Sequence, residues 1–394
     1  MRKVVVLGLG HTNFCFNSPK TGVEMLAEAA VDAILDSNLS AQDIQSAYIG
    51  NVLGTFCEGQ ATVSQFACDD IGCLNIPAIR YEGACASGSI AIREAFMWVA
   101  SGFYDIVLVG GVEKATAMGT SLATRTFCMG TDSKYEFGTG LTFPGFFALL
   151  TRLYATQYNL PLSRLKEQMA SVSVQSHKYG MKNPHAQIKQ EISVDDVLKS
   201  MPVCTPLNLH DCCPFSDGAA AAVLCSEEAA LKISNKKPVY ISGIGLATSG
   251  KMTSQYKYLP RLRARELAAR QSYQMTGFRP EDIDVCELHD CFSIASFIAA
   301  EGLGFFEPGK AGEAWEKGAA AIGGKTPINI SGGLKAKGHP IGATGVSQLY
   351  HITKQLRGEL AEDGVQVDGA RIGMVDTLGG DGCICNLILT VDGA

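Results

Sequence analysis

Apolar residues along this chain come in two rhythms. Unbroken apolar runs, "KVVVLGLG" (residues 3–10), "SAYIGNVL" (46–53) and "YDIVLVGGVE" (104–113), read as strands buried on both faces. Between them, "GVEMLAEAAVDAILDSN" (22–38) and "SGSIAIREAFMWVASG" (87–102) carry apolar residues at helical spacing and stop at Asn38 and Gly102. Strand and helix alternate, which is the rhythm of an α/β layered fold.

The rhythm returns at an offset of about 240 residues. "LSAQDIQSAYIGNV" (39–52) pairs with "RPEDIDVCELHDCF" (279–292): a capping start, an Asp-Ile pair, then a strand. "GACASGSIAIREAF" pairs with "GHPIGATGVSQLYHI", and "YDIVLVGGVE" pairs with "ARIGMVDTLGGDG". The order is the same in both halves, so one α/β unit is duplicated. Residues 1–117 with 211–235 form the first half and residues 236–394 the second. Residues 118–210 form an inserted loop domain over the active site, rich in glycine and aromatics at its start, then helical ("LSRLKEQMASVSVQSHKYG"), and broken at Pro144, Pro184 and Pro202.

Composition narrows the function. With 46% hydrophobic and 18% charged residues the chain can build a large core, and a net charge of −6 gives no electrostatic case for nucleic acid or an anionic membrane. No apolar stretch reaches the roughly 18 residues of a spanning helix. The fourteen cysteines sit mostly in apolar surroundings with no signal peptide ahead of them, so they read as reduced thiols of a cytoplasmic protein. Cys212-Cys213 and Cys383-x-Cys385 lack the spacing of a structural zinc site, so no metal is expected. "VVVLGLGHTNF" has Asn13 where a dinucleotide fingerprint needs its third glycine, which argues against NAD.

Two positions carry chemistry. Cys85, in "GACASGS", follows a strand and opens a helix, where the helix dipole favours a thiolate and small neighbours leave the sulfur accessible. A free cysteine is usually just a small buried residue, but His339, in "GGLKAKGHPIGATG", holds the matching place in the second repeat, also expected after a strand and before a helix. If the halves pack about a pseudo-twofold axis, both helix starts converge and the pair is an activated nucleophile.

These residues resemble the thiolases. Cys85 in C-x-S-G, the later G-H-P-x-G-A-T-G, "GGVEKAT" and "SDGAAAAVL" all fit that family, and the resemblance spans essentially the whole chain. "HDCF" at 289–292 resembles the sterol-carrier-protein-type branch. The resemblance implies two duplicated α/β halves packed as five layers (α-β-α-β-α). It implies an acyl-CoA C-acyltransferase that cleaves a 3-oxoacyl-CoA with CoA, or runs the reverse condensation, through an acyl-Cys85 intermediate. CoA is then a substrate, and no prosthetic group is needed. Thr377 stands where many thiolases carry a second catalytic cysteine, and its hydroxyl is too weak an acid. Cys291 is the expected replacement, with Cys383 and Cys385 as alternatives. His289 and His339 are expected at the enolate oxygen, and the N–H groups of Cys85 and Gly379 at the tetrahedral oxygen. Gly338, Gly342, Gly379 and Gly380 are expected to leave room for thioester and pantetheine.

The resemblance further implies a homodimer and a small zinc-ribbon/OB-fold partner protein. The aromatics Phe137, Phe143, Phe146, Phe147 and Tyr154 raise a bulky or aryl acyl group, such as that of benzoylsuccinyl-CoA, as one substrate candidate. The rivals are a thiolase-like retro-aldol C–C lyase and a non-catalytic scaffold subunit. Cys85 argues against the first, and Cys85, His289 and His339 together argue against the second.

Overall fold

The computed structural model of the chain describes residues 1–380 and 382–393; Asp381 and Ala394 lie outside the described residues. Its strands are β1 (Val4–His11), β2 (Ala47–Gly50), β3 (Ala78–Tyr81), β4 (Ile106–Glu113), β5 (Pro202–Cys204), β6 (Leu207–Asn208), β7 (Gly218–Ser226), β8 (Val239–Thr248), β9 (Val285–Glu287), β10 (Ile372–Leu378) and β11 (Cys383–Thr390). Nine of them make one sheet in the order β3-β2-β4-β7-β1-β8-β11-β10-β9, and β5-β6 is a separate pair.

The duplication is visible in that order. In the first half β2 pairs parallel with β4, β4 antiparallel with β7, and β7 antiparallel with β1. In the second half β9 pairs parallel with β10, β10 antiparallel with β11, and β11 antiparallel with β8. The halves join through a short antiparallel seam, Val5 opposite Tyr240 and Val6 opposite Val239. β3, parallel to β2, has only a vestige in the second half: Ile328 bridges Cys286 in parallel.

Three cores explain the unbroken apolar runs. Along β1, Val4 and Val6 enter one core and Val5 and Leu7 another, so both faces are buried. The first of these cores holds the Ser87–Ser101 and Thr344–Arg357 helices (Ile92, Phe96, Leu349, Ile352) between strands of both halves (Val107, Leu387). The second lies under the Gly22–Asp36 helix. A third packs the Arg263–Thr276 and Ser293–Gly302 helices on the outer face of the second half. The two halves of the continuous sheet thus flank the paired central helices, with further helices on each outer face, which gives the five layers.

The inserted stretch differs in two respects from its sequence expectation. Pro144 does not break a helix. It sits in the first turn of the Phe143–Gln157 helix, where its missing N–H is no loss. The helices Phe143–Gln157 and Leu162–Gly180 also share the third core, through Phe146, Leu150, Leu165 and Met169, with Phe297 of the second half. No helix among the described residues is long and apolar enough to cross a membrane.

Candidate active site

The two central helices meet backbone to backbone. A Cβ at Gly88 would stand 2.7 Å from the Gly342 carbonyl oxygen, and one at Gly345 would stand 2.5 Å from the Ser89 nitrogen. Such contacts exclude any side chain, and they draw the starts of both helices, with Cys85 and His339, into one place. Gly342 and Gly338 are therefore glycines for chain packing, not for substrate clearance. A Cβ at Gly342 would reach the Val112 carbonyl oxygen at 2.4 Å, and Gly338, at φ +114, would meet Ser216 Oγ at 2.8 Å. At Gly380 a Cβ would run into the Phe143 ring at 2.4 Å.

Cys85 lies in a tight turn, Ala84–Ala86, that runs straight into the Ser87–Ser101 helix. Ala84 adopts φ +49, a left-handed conformation costly for alanine. The turn is held by Ser87, whose Oγ accepts from the Gly83 N–H at 2.9 Å and donates to the Ala84 carbonyl at 2.6 Å.

His339 is not preceded by a strand as expected. The chain makes a π-helical turn, Gly333–Lys337, whose Lys335 and Lys337 are buried. Lys337 Nζ lies 3.5 Å from Glu287. The His339 N–H donates to Ser216 Oγ at 2.8 Å. The Thr344 hydroxyl donates to the Pro340 carbonyl at 3.1 Å, so its oxygen accepts from His339 Nδ1 at 2.7 Å. That network assigns the Nδ1–H tautomer and leaves Nε2 as the basic atom. Burial, then the nearby Lys337 charge, lowers the His339 pKa to about 3. Burial, then His339 and Arg265, lowers that of His289. Both rings rest neutral at physiological pH.

The three groups converge. Cys85 Sγ and one ring nitrogen each of His289 and His339 lie within 4.8 Å of one another, and the two rings meet edge to face at 4.9 Å. All three line an apolar cavity of about 530 Å³, whose walls also include Phe127, Phe143, Phe147 and Phe292. A second cavity of about 780 Å³ reaches Cys85 from the side of Arg80 and Lys251.

The other expected residues divide. Cys291 lines the apolar cavity, and burial, then Cys213 and Cys85 beside it, pushes its thiol pKa well up. Cys385 points elsewhere, its Sγ towards the Ser89 carbonyl at 3.6 Å, and neither it nor Cys383 lines that cavity. Thr377 is fully buried, 2.6 Å from Ser89 Oγ and donating to Gln348 at 2.7 Å. The expectation for Gly379 needs correction. Its N–H donates to the Cys383 carbonyl at 2.7 Å, closing the β10–β11 turn, and is not presented to the cavity; Gly380 lines the wall instead.

Two residues escaped the sequence reading. Cys213, set aside for lacking zinc spacing, lines the cavity and donates its N–H to the Cys291 carbonyl at 2.9 Å. Its place just before "SDGAAAAVL" was the available signal. Glu113 accepts from the N–H groups of Val52 (3.1 Å), Leu53 (2.9 Å) and Gly342 (3.2 Å) and from the Asn51 amide (3.0 Å), and so ties the His339 loop to the first half.

Comparison with known proteins agrees with this geometry. The chain matches the thiolase N-terminal domain over residues 4–228 and the thiolase C-terminal domain-like family over residues 245–386. It is 39% identical over 382 residues to an acetyl-CoA acetyltransferase of Methanothermobacter thermautotrophicus, covering 97% of each chain. It is 34% identical over 389 residues to the benzoylsuccinyl-CoA thiolase subunit BbsB of Thauera aromatica, covering 97% of this chain and 96% of that one. It is also 34% identical to sterol carrier protein 2 of Oryctolagus cuniculus, over 96% of this chain and 70% of that protein. A solved structure of the Ltp2-ChsH2(DUF35) aldolase shares the fold at a TM-score of 0.82 and 24% identity, covering 99% and 98% of the two chains. The chain belongs to the thiolase family and is an acyltransferase.

Proposed function

We propose that the protein cleaves a 3-oxoacyl-CoA with CoA, or runs the reverse condensation, through a thioester on Cys85. The observation that carries this reading is the meeting of Cys85, His289 and His339 within 4.8 Å in the wall of an apolar cavity. In the cleavage direction His339 Nε2 takes the Cys85 proton as the sulfur attacks the 3-oxo carbon. The low basicity of the buried ring keeps the resting pair as thiol and imidazole, so proton transfer accompanies attack. The C2–C3 bond then breaks. Its electron pair leaves on the departing acyl-CoA as an enolate, whose oxygen faces His289 and His339.

Cys291 protonates that enolate. A thiol with a raised pKa is a weak acid, but an enolate is a far stronger base, and the resulting thiolate is well suited to deprotonate the incoming CoA. The CoA sulfur attacks the Cys85 thioester, the Cys85–acyl bond breaks, the departing Cys85 sulfur takes back its proton from His339, and the second acyl-CoA leaves. The tetrahedral oxygen is served by the Cys85 N–H, with Gly380 in the place first assigned to Gly379. No prosthetic group enters this cycle, and CoA is a substrate. Cys85→Ala should abolish thiolysis; cleavage near the wild-type rate in that variant would overturn the mechanism.

The aromatic walls favour a bulky or aryl acyl group, and the resemblance to a benzoylsuccinyl-CoA thiolase subunit supports the same choice. Assembly and place in the cell belong to the same proposal. β3 is a free sheet edge with Ile79 exposed, which suits a homodimer. The relatives described as a subunit and as a DUF35 complex support a small partner protein. A chain with fourteen cysteines, most of them in apolar surroundings, suits a reducing compartment such as the cytoplasm. Light scattering that finds only an active monomer would remove both assembly proposals.

A further inference from the structure

We propose that Cys85, His289 and His339 also form an inhibitory site for one soft divalent cation, zinc above all, which silences the enzyme by occupying its nucleophile. One sulfur and two imidazole nitrogens are a soft donor set that suits zinc and not magnesium or calcium. The three donor atoms lie within 4.8 Å of one another. In a tetrahedral zinc sphere, with Zn–S about 2.3 Å and Zn–N about 2.0–2.1 Å, such donors stand about 3.4–3.6 Å apart. Rotation of Cys85 between staggered rotamers moves its sulfur by on the order of 3 Å, and cavities on both sides of Cys85 leave room for that movement.

One of the two rings has the outer support that metal-binding histidines use: Thr344 and Pro340 hold His339 in the tautomer that offers Nε2. His289 has no such support, since its Nδ1 is buried with no hydrogen-bond partner, and it joins the set by its place beside His339. The cavity that all three residues line leaves space for a fourth ligand. Binding releases the Cys85 proton to solvent, and the thiolate, two neutral rings and Zn²⁺ leave a net charge of +1. Metal and acyl group then compete for one sulfur. That competition rests on the acyl-cysteine reading, whereas the binding rests on the donor geometry alone.

Titration of the full chain with Co²⁺ and Zn²⁺ tests the site. One Co²⁺ per chain should bind with a thiolate-to-cobalt charge-transfer band. Cys85→Ser, a one-atom change, should remove the band, and His289→Asn should weaken binding at least about tenfold. Zn²⁺ should shield Cys85 from iodoacetamide, read by peptide mass spectrometry, and should stop thiolysis until a chelator is added. A charge-transfer band that survives in Cys85→Ser, or unchanged alkylation of Cys85 under Zn²⁺, would overturn the site. Protection of Cys85 with no loss of turnover would refute the acyl-cysteine reading and leave the metal site standing.

Discussion

Thr344→Val removes one hydroxyl from behind the general base and keeps the side chain's shape. In the native protein the Thr344 oxygen accepts from His339 Nδ1 at 2.7 Å and donates to the Pro340 carbonyl at 3.1 Å. Valine leaves the Nδ1–H, on a ring only 5% exposed, without an acceptor. A buried unsatisfied group costs about 1–3 kcal/mol, so thermal unfolding should show a loss of that size. The ring also loses the contact that fixes its tautomer. If the Nε2–H tautomer then becomes the favoured one by about 1.4–2.8 kcal/mol, acylation slows roughly 10- to 100-fold. The assay is single-turnover acylation of Cys85, quenched and read by mass spectrometry. Thr344→Ser should recover most of the rate, because it restores the acceptor. Acylation at the wild-type rate in Thr344→Val, or a serine variant as slow as the valine one, would refute the argument that this hydroxyl sets the base.

Cys291→Ala should separate two reactions: exchange of an acyl group between CoA molecules through Cys85 should slow less, because a thiol of ordinary pKa is partly ionised without a base, while C–C cleavage measured by thiolysis, whose enolate has no other donor in this account, falls about 10²–10⁴-fold. Stability should decline on acidification, because the folded state keeps buried histidines neutral. For His339, lowered to about 3 from the unfolded value of about 6.5, this contribution is present above pH 6.5 and fades as pH falls towards 3. It has lost about 2 kcal/mol at pH 5, a loss that denaturant titrations at pH 7 and 5 would reveal. Arg265→Met should destabilise the fold by about 3–5 kcal/mol in the same titration, because it strands Asp376, which is wholly buried and 3.1 Å from the guanidinium.

The parts of the fold that the sequence discloses are those where a local pattern meets a layer. β1 is apolar at every position because its alternate side chains enter different cores, and the repeated order of strand, small residues and helix maps onto the repeated strand pairing. Cys85 and His339 were legible for the same reason, as matched helix starts. What stayed hidden depends on contacts between distant positions. A strand was expected ahead of His339, yet "GLKAK" is a π-helical turn, and its Lys337 is buried beside Glu287, fifty positions earlier. The role of Thr344 needs the ring's orientation, and that of Cys213 needs its pairing with Cys291. The Gly379 N–H was assigned from a motif, but the tight β10–β11 turn uses it for its own closure.

The most direct test of the acyl-cysteine account is intact-protein mass spectrometry after brief mixing with a panel of 3-oxoacyl-CoAs, from acetoacetyl-CoA to aryl and dicarboxylic species, without free CoA. The account predicts a mass increase equal to one acyl group, located on Cys85 by peptide mapping and absent from Cys85→Ala, with the largest yield from a bulky member. A folded protein, with any partner subunit supplied, that cleaves a panel member yet never carries an acyl group on Cys85 would contradict it.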